Sequence, residues 1–417
     1  MMHFKSPFLK EARERGFIYQ CTDLEGLDTL MAEQSITGYL GFDPTADSLH
    51  VGHMVGLMFL RLLKKHGHTP IALVGGATAK LCDPSGKDAM RQMLSVQDIQ
   101  NNMNAIAPCI ERYLNYESDD QVLIVDNDQW LGQLNYIDLL RDYGMHFSVN
   151  RMLTFDSVKS RLEREQTLSF LEFNYMILQA YDFVELNKKH HCVLQLGGSD
   201  QWGNIVSGVD LGRRILNKTL YGLTAPLITT ASGAKMGKSA SGAIWLNANR
   251  LSPYDYWQFW RNTHDQDVGR YLRLFTDIPL DTISHLEQAE GAALNDVKKI
   301  LADHATTLAH GREHLETIHK TVQSLFTPTN DIDLSHLPTY TLNQQTLESL
   351  AIEDVLVQCE LVKSKGEARR AIEGRGIKIN DIVVECGKSP LDVSLLNEEY
   401  IKLSFGKKKH HVIKVTA

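Results

Sequence analysis

The feature that most constrains the fold is a repeated succession of an apolar, β-rich segment, a polar turn and a helical pattern. Such segments occur at 36–42, 71–74, 122–125 and 193–196, and each is followed by Gly, Asp or Asn. This succession is typical of βαβ units with a parallel sheet. We therefore predict an α/β domain over residues 1–250, with its ligand site beyond the carboxyl ends of the strands.

The first helix after the first strand is predicted at 49–66, where apolar residues recur on one helical face. Asp47 and Ser48 are the candidates for its N-cap, and Gly67 is suited to end it.

The junction between that strand and that helix, GFDPTADSLHVGH at 41–53, is the first candidate site. Such a junction suits phosphate, because unpaired N–H groups and the helix dipole point at the ligand. His50 and His53 face one side of the first turn, and Gly52 leaves room for a close approach. Two surface histidines beside a capping loop would give the same pattern.

A second candidate is the glycine-interrupted loop at 233–239, which carries Lys235 and Lys238. Two ammonium groups on a mobile loop can close over a pyrophosphate as negative charge moves onto it. The loop is not a P-loop, because Ser232 stands where that motif requires its first glycine. A solvated lysine loop would look the same in isolation.

The remainder of the chain predicts three further parts. Residues 251–325 have a helical pattern, and 326–350 have the polar, proline-containing composition of a linker. Residues 351–417 combine an S-x-x-E capping box at 364–367 with alternating strands, as in a small α+β domain.

Composition excludes several classes of protein. The six cysteines form no C-x-x-C pair, so neither a zinc site nor a disulfide framework is predicted. No apolar run is long enough to span a membrane, and the N-terminus lacks the pattern of a signal or transit peptide. A net charge of −8 argues against a general polyanion binder, and DNA is not an expected partner. We expect a cytoplasmic protein.

Two short motifs carry a family resemblance. HVGH at 50–53 is a variant of the HIGH motif of class I aminoacyl-tRNA synthetases, and KMGKS at 235–239 is a variant of their KMSKS loop. Together with YLGFDPTADSLHVGH, GGATAKLCDPSGK, FLEFNYMILQAYDF and LQLGGSDQWGNI, they make nearly the whole chain similar to bacterial-type tyrosyl-tRNA synthetases.

The resemblance implies an α/β fold with a Rossmann-like parallel-sheet catalytic domain. A helical domain on the anticodon-arm side and a small α+β RNA-binding domain, similar to a ribosomal protein, would follow. The implied activity is that of a tyrosine–tRNA ligase. Such an enzyme makes tyrosyl-adenylate and pyrophosphate from L-tyrosine and ATP, and then transfers tyrosine to the 3′-terminal adenosine of tRNA(Tyr).

The resemblance also implies a tyrosine site. Its residues would be Tyr39 and Asp182 at the phenolic hydroxyl, Tyr175, Gln179 and Asp83 at the amino group, and Gln195 and Gln201 nearby. Tyr175, Gln179 and Asp182 lie at i, i+4 and i+7, and can therefore line one pocket from one helical face. An amphipathic helix that turns this face to water is the alternative.

The residues implied to bind ATP are Gly41, Asp43, His50, Gly52, His53, Gly197, Asp200, Lys235 and Lys238. The catalytic candidates are His50, His53, Lys87, Arg91, Lys235, Lys238 and Ser239. The carboxylate of tyrosine is already a nucleophile, so positioning and charge stabilisation suffice for catalysis. We expect no tightly bound cofactor; Mg²⁺ would accompany ATP, held by phosphates and water, because the sequence contains no carboxylate cage.

The C-terminal end of the chain is its basic end. From residue 353 there are 12 Lys and Arg against 10 Asp and Glu, whereas the preceding residues carry 31 against 41. The predicted tRNA contacts are Lys363, Lys365, Arg369, Arg370, Arg375, Lys407, Lys408 and Lys409. The resemblance further implies a homodimer.

Four positions depart from the family pattern. Gly237 replaces the middle serine of the KMSKS loop, Leu40 follows Tyr39 where many relatives have cysteine, and Ala79 and Lys80 stand where Gly-Leu is usual, so that Lys80 places an extra cation near the entrance. Two other functions stay open, a tryptophanyl-tRNA synthetase and a non-catalytic RNA-binding relative. Tyr39 and Asp182 argue against the first, because an indole offers one donor and no acceptor. The intact histidines and lysines of both motifs argue against the second.

Overall fold

The computed structural model describes residues 3–81, 83, 85, 93–115, 122–233, 236–239, 242–326, 339–391, 400–406 and 409–416. The chain divides into two compact units, residues 1–250 with 263–309, and residues 251–262 with 310–417. The helical segment predicted at 251–325 is therefore shared between the two units. Within the described residues, no helix is long and apolar enough to cross a membrane.

The first unit contains a six-stranded sheet and a short hairpin. The strands are β1 (Gln20–Cys21), β2 (Thr37–Phe42), β3 (Thr69–Val74), β4 (Leu123–Asp126), β5 (Cys192–Gly198), β6 (Tyr221–Ala225), β7 (Lys238–Ser239) and β8 (Gly242–Ala243). The sheet order is β1-β6-β5-β2-β3-β4, with β1 antiparallel and the other pairs parallel. The four strands predicted from the sequence are confirmed as β2, β3, β4 and β5.

The α-helices are α1 (Pro7–Arg15), α2 (Leu24–Glu33), α3 (Val51–Lys65), α4 (Val96–Asn115), α5 (Asp128–Leu131), α6 (Tyr136–Asp142), α7 (Val149–Met152), α8 (Asp156–Glu163), α9 (Phe170–His190), α10 (Trp202–Leu216), α11 (Pro253–Arg261), α12 (Val268–Phe275), α13 (Leu280–Leu286), α14 (Ala292–His310), α15 (Glu313–Phe326), α16 (Gln344–Ser349), α17 (Ile352–Gln358) and α18 (Lys365–Glu373). Chain connections run from β2 towards β3 on one side and from β5 towards β6 on the other. The crevice between the carboxyl ends of β2 and β5 is the switch point at which open α/β sheets bind ligands.

The N-terminus of α3 differs from the prediction. The N-cap is His50, whose Nδ1 accepts the main-chain N–H of Gly52 at 3.0 Å. Asp47 does not cap the helix, and its carboxylate instead forms an ion pair with Arg250 at 2.6 Å. Ser48 Oγ donates to a main-chain carbonyl and accepts from the N–H of Asn247. Both polar side chains are thus used for tertiary contacts, which the local sequence does not reveal.

Helix α9 is fixed at its first turn by a capping box between Ser169 and Glu172. The Glu172 carboxylate is buried and also lies 3.3 Å from Arg161 Nη2 of α8. A 21-residue helix with a fixed start carries its polar residues to one defined place beside the sheet.

The second unit contains a five-stranded sheet made of β9 (Thr339–Asn343), β10 (Ile377–Ile379), β11 (Ile382–Val383), β12 (Tyr400–Phe405) and β13 (Lys409–Thr416). Its order is β11-β10-β12-β13-β9, with β9 parallel to β13. Helices α17 and α18 pack on this sheet, and Ser364 caps α18 as predicted. The described end of the predicted 326–350 linker forms β9 and α16, because Tyr340 and Leu342 face the core from an otherwise polar segment.

Candidate active site

A cavity of about 350 Å³ opens at the switch point of the first unit. It is lined by the residues predicted to bind tyrosine or ATP whose side chains the structure describes, namely Tyr39, Gly41, Asp43, His50, Gly52, His53, Asp83, Tyr175, Gln179, Asp182, Gln195, Gly197, Asp200 and Gln201. Lys87, Arg91 and Lys235 lie outside the described residues. For Lys238 and Ser239 the structure describes the main chain of β7.

The closed end of the cavity contains Tyr39 and Asp182, which are 1% and 2% exposed. The hydroxyl of Tyr39 has no hydrogen-bond partner among the described residues. Burial raises the pKa of Asp182 to about 8, although hydrogen bonds from Trp130 and Asn127 act to lower it. Burial and the neighbouring Asp182 raise the pKa of Tyr39 well above its ordinary value. This end therefore offers one hydroxyl and one carboxyl group to a ligand, in a dry environment.

Two residues that the sequence analysis did not identify orient Asp182. Trp130 Nε1 donates to Oδ1 at 2.7 Å, and Asn127 Nδ2 donates to Oδ2 at 3.0 Å. Asn127 directly follows β4, and Trp130 lies in the short helix α5 after it. The sequence could have indicated Asn127, because a polar residue directly after a parallel strand lies at the edge of the sheet where ligands bind.

A chain of hydrogen bonds extends from Asn127 towards the opposite end of the cavity. Asn127 Nδ2 also donates to Thr78 Oγ1 at 3.0 Å, and Thr78 donates to Asp43 Oδ1 at 2.8 Å. The other oxygen of Asp43 accepts the hydroxyl proton of Tyr175 at 2.7 Å. The orientation of Tyr175 is thereby fixed before a ligand binds, and its oxygen keeps lone pairs for a donor.

His50 and His53 lie side by side at the N-terminus of α3, with ring centroids 4.0 Å apart. Nδ1 of His50 accepts the N–H of Gly52, and Nδ1 of His53 accepts the N–H of His50 at 3.1 Å. An acceptor nitrogen carries no proton, so a neutral ring carries its proton on Nε2. Both rings are therefore arranged as Nε2–H donors at a helix N-terminus, where negative charge is favoured.

The described part of the KMGKS loop lies against this same helix end. Gly237 has φ +90°, and a Cβ atom built on it would lie 3.0 Å from the main-chain nitrogen of Gly52. The carbonyl of Gly237 accepts the N–H of Ile244, and the carbonyl of Ile244 accepts the N–H of Val51, at 3.1 and 2.9 Å. Gly237 thus allows the two motifs to approach with a backbone conformation that other residues rarely adopt.

Two of the departures from the family pattern have a clear place in the structure. Lys80 forms an ion pair with Asp128 at 2.7 Å, so its charge is balanced by a neighbouring carboxylate. Leu40 is buried and packs towards Gly56 of α3, where a built Cβ atom would lie 2.9 Å from Leu40 Cδ1.

The cations predicted to contact tRNA belong to the second unit, and several of them are used within it. Arg369 pairs with both oxygens of Glu353, at 2.7 and 2.9 Å. Lys365 pairs with Asp354 at 2.5 Å, and Lys409 donates to two main-chain carbonyls at 2.8 and 2.9 Å.

Other predicted cations of this unit are differently placed. Lys363, Arg370 and Arg375 are exposed, and their side chains have no ion pair or hydrogen bond with another described residue. Lys407 and Lys408 lie outside the described residues. The structure therefore separates cations that are paired within this unit from cations without a described partner.

No group of three or more His, Cys, Asp or Glu side chains suited to a metal occurs in the part of the chain that the structure describes. The acidic residues around the cavity instead accept hydrogen bonds from neighbouring side chains and main-chain N–H groups.

Comparisons with known proteins extend over nearly the whole chain. The family described as tRNA synthetases class I (W and Y) matches residues 31–327. The family described as the tyrosine–tRNA ligase SYY-like C-terminal domain matches residues 331–413.

Individual proteins give the same result. The tyrosine–tRNA ligase of Xanthobacter autotrophicus is 53% identical over 414 residues, which cover 99% of this chain and 98% of that protein. The tyrosine–tRNA ligase of Brucella abortus is 51% identical, with 99% and 100% covered. A C-terminally truncated mitochondrial tyrosyl-tRNA synthetase of Aspergillus nidulans matches with a TM-score of 0.68 and 32% identity, over 76% of this chain and 94% of that one.

Proposed function

The chain belongs to the class I tRNA synthetases of the tryptophan and tyrosine family and is a tyrosine–tRNA ligase, and from this premise we propose how its residues perform the reaction. Tyrosine binds in the cavity with its ring towards the closed end and its carboxylate towards α3. The observation that carries this orientation is the burial of both Tyr39 and Asp182 among the residues that line the cavity.

The closed end selects a phenol by hydrogen bonding. A phenolic hydroxyl can donate to Asp182 and accept from Tyr39 at the same time. Phenylalanine would leave the Tyr39 hydroxyl without a partner and would offer no donor to Asp182, and the indole of tryptophan would leave the Tyr39 hydroxyl without an acceptor. This chemistry supports tyrosine over both competitors.

Activation requires little covalent chemistry from the protein. The tyrosine carboxylate attacks the α-phosphorus of ATP, pyrophosphate leaves, and no general base is needed. His50 and His53 donate from Nε2 to phosphate oxygens at the N-terminus of α3. Lys235 and Lys238, on the loop that closes against α3, neutralise the charge that develops on pyrophosphate. We assign Lys87 and Arg91, which lie outside the described residues, to the same phosphates.

Mg²⁺ enters as the companion of ATP. We propose that the ion is held chiefly by phosphate oxygens and water. Its contribution is to neutralise phosphate charge during transfer.

The C-terminal unit binds tRNA(Tyr) through phosphate contacts. Support comes from Lys363, Arg370 and Arg375, which are exposed just before, on and just after α18. Exposed cations without internal partners can exchange counterions for phosphates, which makes the affinity dependent on salt. A non-catalytic RNA-binding protein would retain this surface without needing the organised cavity.

A homodimer is supported by an apolar surface on the first unit. Eight of the fourteen large hydrophobic side chains that are exposed among the described residues fall within 136–170; they are Tyr136, Ile137, Leu140, Met145, Val149, Leu153, Leu162 and Phe170. Helices α6, α7, α8 and α9 share one small core beneath them. A second copy of the chain is the proposed occupant. Ile137→Asp should convert a dimer to a monomer in sedimentation velocity, and a monomeric unmodified protein would contradict the proposal.

The decisive experiment for the activity is ATP–pyrophosphate exchange measured with each of the twenty amino acids, followed by charging of tRNA(Tyr). Exchange should depend on tyrosine, and exchange supported equally by tryptophan would overturn the assignment of the closed end. The cytoplasm is the proposed location, supported by five described cysteines that form no disulfide.

A further inference from the structure

Asn204, near the start of α10, has a hydrogen-bonding role that no motif assigns. Its side chain is 4% exposed. The amide nitrogen donates two hydrogen bonds of 3.0 Å, one to Gln179 Oε1 and the other to Gln201 Oε1. A single buried amide therefore holds the carbonyl oxygens of two glutamines that line the cavity.

The bond to Gln201 determines which way that amide faces. Since Oε1 is held by Asn204, Nε2 is turned towards Asp83 and donates to its Oδ2 at 2.8 Å. The other oxygen of Asp83 accepts the main-chain N–H of Ser85 at 2.9 Å. Asn204 thus contributes, through one glutamine, to the orientation of a carboxylate at the open side of the tyrosine site.

The bond to Gln179 has a different consequence. A carbonyl oxygen has two lone pairs, so the oxygen that accepts from Asn204 can accept once more. A reversed Gln179 amide would instead present N–H groups, and an ammonium ion has only donors. Correct orientation of this amide therefore decides whether Gln179 attracts or repels the amino group of tyrosine.

We propose that Asn204 is a positioning residue for the substrate ammonium group, acting through Gln179 and Gln201. This inference rests on the proposed function, in which tyrosine places its amino group beside Tyr175, Gln179 and Asp83. The Tyr175 hydroxyl donates a hydrogen bond of 2.7 Å to Asp43. Tyr175, Gln179 and Asp83 can therefore all present oxygen lone pairs to the ammonium ion. Asn204 itself does not contact the substrate.

A merely structural role for Asn204 is the competing explanation, because α9 and α10 pack against each other. A loss of packing should weaken the binding of every ligand of the cavity alike. A loss of amide orientation should weaken only ligands with an ammonium group. The deamino analogue of tyrosine, p-hydroxyphenylpropionate, retains the phenol and carboxylate and separates the two explanations.

The test compares the dissociation constants of tyrosine and p-hydroxyphenylpropionate for the full chain, measured by calorimetry. Asn204→Leu preserves the approximate size of the side chain and removes the donor. We expect it to reduce the preference for tyrosine over the analogue about tenfold, the effect of hydrogen bonds to a charged group. Binding of the analogue should change by less than about twofold. If Asn204→Leu does not fold, Asn204→Ala is measured with the same expectation.

Asn187 provides the matched control. It is a buried asparagine of α9, 1% exposed, whose Nδ2 donates to the carbonyl of Cys192 at 2.9 Å. Asn187→Leu should leave the preference unchanged even if it lowers stability. An equal loss of affinity for both ligands in Asn204→Leu, or an unchanged preference, would overturn the inference. Failure of the proposed function would be distinguished by unmodified protein that shows no tyrosine-dependent exchange.

Discussion

The cavity of the first unit and the basic surface of the second use polar side chains in opposite ways. In the cavity, Asp182, Asp43 and Asp83 are oriented by neighbouring side chains, and the shared network leaves acceptor atoms towards the ligand. On the C-terminal unit, adjacent cations of one helix differ, because Arg369 is paired with Glu353 and Arg370 has no described partner.

Hydrogen bonds within the protein therefore have opposite effects on ligand binding in the cavity and on the basic surface. In the cavity, the hydrogen-bond partners of a buried carboxylate offset the cost of its burial, and they also orient it towards the substrate. A surface cation that is already paired must break that pair before it can bind phosphate. A hydrogen-bond partner within the protein therefore supports a role in substrate binding for a cavity carboxylate, and it argues against a role in phosphate binding for a surface cation.

The largest expected effect comes from separating the two regions. A chain that ends after Phe326, the last residue of α15, removes β9 together with its parallel partner β13. We expect charging of tRNA(Tyr) to fall by at least about 100-fold, because the phosphate contacts are lost. Tyrosine-dependent exchange should stay within about twofold, because all cavity residues are retained. Equal loss of both activities in a folded product would show that the regions are not separable.

The selectivity of the closed end of the cavity is tested by Tyr39→Phe. The substitution keeps the ring and removes the hydroxyl that partners the substrate phenol. The preference for tyrosine over phenylalanine in the exchange assay should fall about tenfold or more, because the buried hydroxyl of bound tyrosine then lacks its hydrogen bond from Tyr39. Tyr19→Phe, at a tyrosine that is 60% exposed, is the matched control. A preference that survives in Tyr39→Phe would remove this residue from the selective end.

The exposed side is tested by neighbouring arginines of α18. Arg370→Gln should raise the KM for tRNA about threefold to tenfold. It should also reduce the slope of the logarithm of tRNA affinity against the logarithm of salt concentration by about one, as expected for one lost phosphate contact. Arg369→Gln should change the KM by less than about twofold, because Arg369 is already paired with Glu353. Equal effects of both substitutions would show that internal pairing does not predict which cations bind RNA.

The smallest expected effect is a pH dependence of stability. Because the pKa of Asp182 is raised from 3.8 to about 8, the folded protein keeps a proton that the unfolded chain releases between these values. Rising pH therefore favours the unfolded state over this window, and the destabilisation is complete above about 8. In ligand-free protein, the Tm relative to that of Asp182→Asn should decline as the pH rises from about 4 to 8. A constant difference would show that Asp182 stays ionised.

The sequence predicted four of the five parallel strands, β2 to β5, and polar residues of the cavity, because both depend on local signals. Apolar runs marked strands such as β3 and β5, which are buried over most of their length, and the motifs placed their polar residues at the carboxyl ends of those strands. Asn127, Trp130 and Asn204 were not predicted, because their roles arise from contacts between distant segments.

The errors have the same physical origin. Asp47 and Ser48 have the right chemistry for an N-cap, but their partners at Arg250 and Asn247 are about 200 positions away in the sequence. The pairing of Arg369 with Glu353 also spans two helices, and the contact of Arg369 with tRNA stays a prediction. Charge counts along the chain cannot separate this arginine from Arg370.

The close approach of Gly52 and Gly237 has a consequence for other members of the family. A Cβ atom at Gly52 would lie 2.7 Å from the His50 ring, and one at Gly237 would lie 3.0 Å from the Gly52 main chain. A side chain gained at Gly237 would press on the main chain of the other motif, whereas one gained at Gly52 would press on His50 of its own motif. Relatives that carry the usual serine of the KMSKS loop at the position of Gly237 therefore need this loop to lie slightly farther from the start of α3 than it does here.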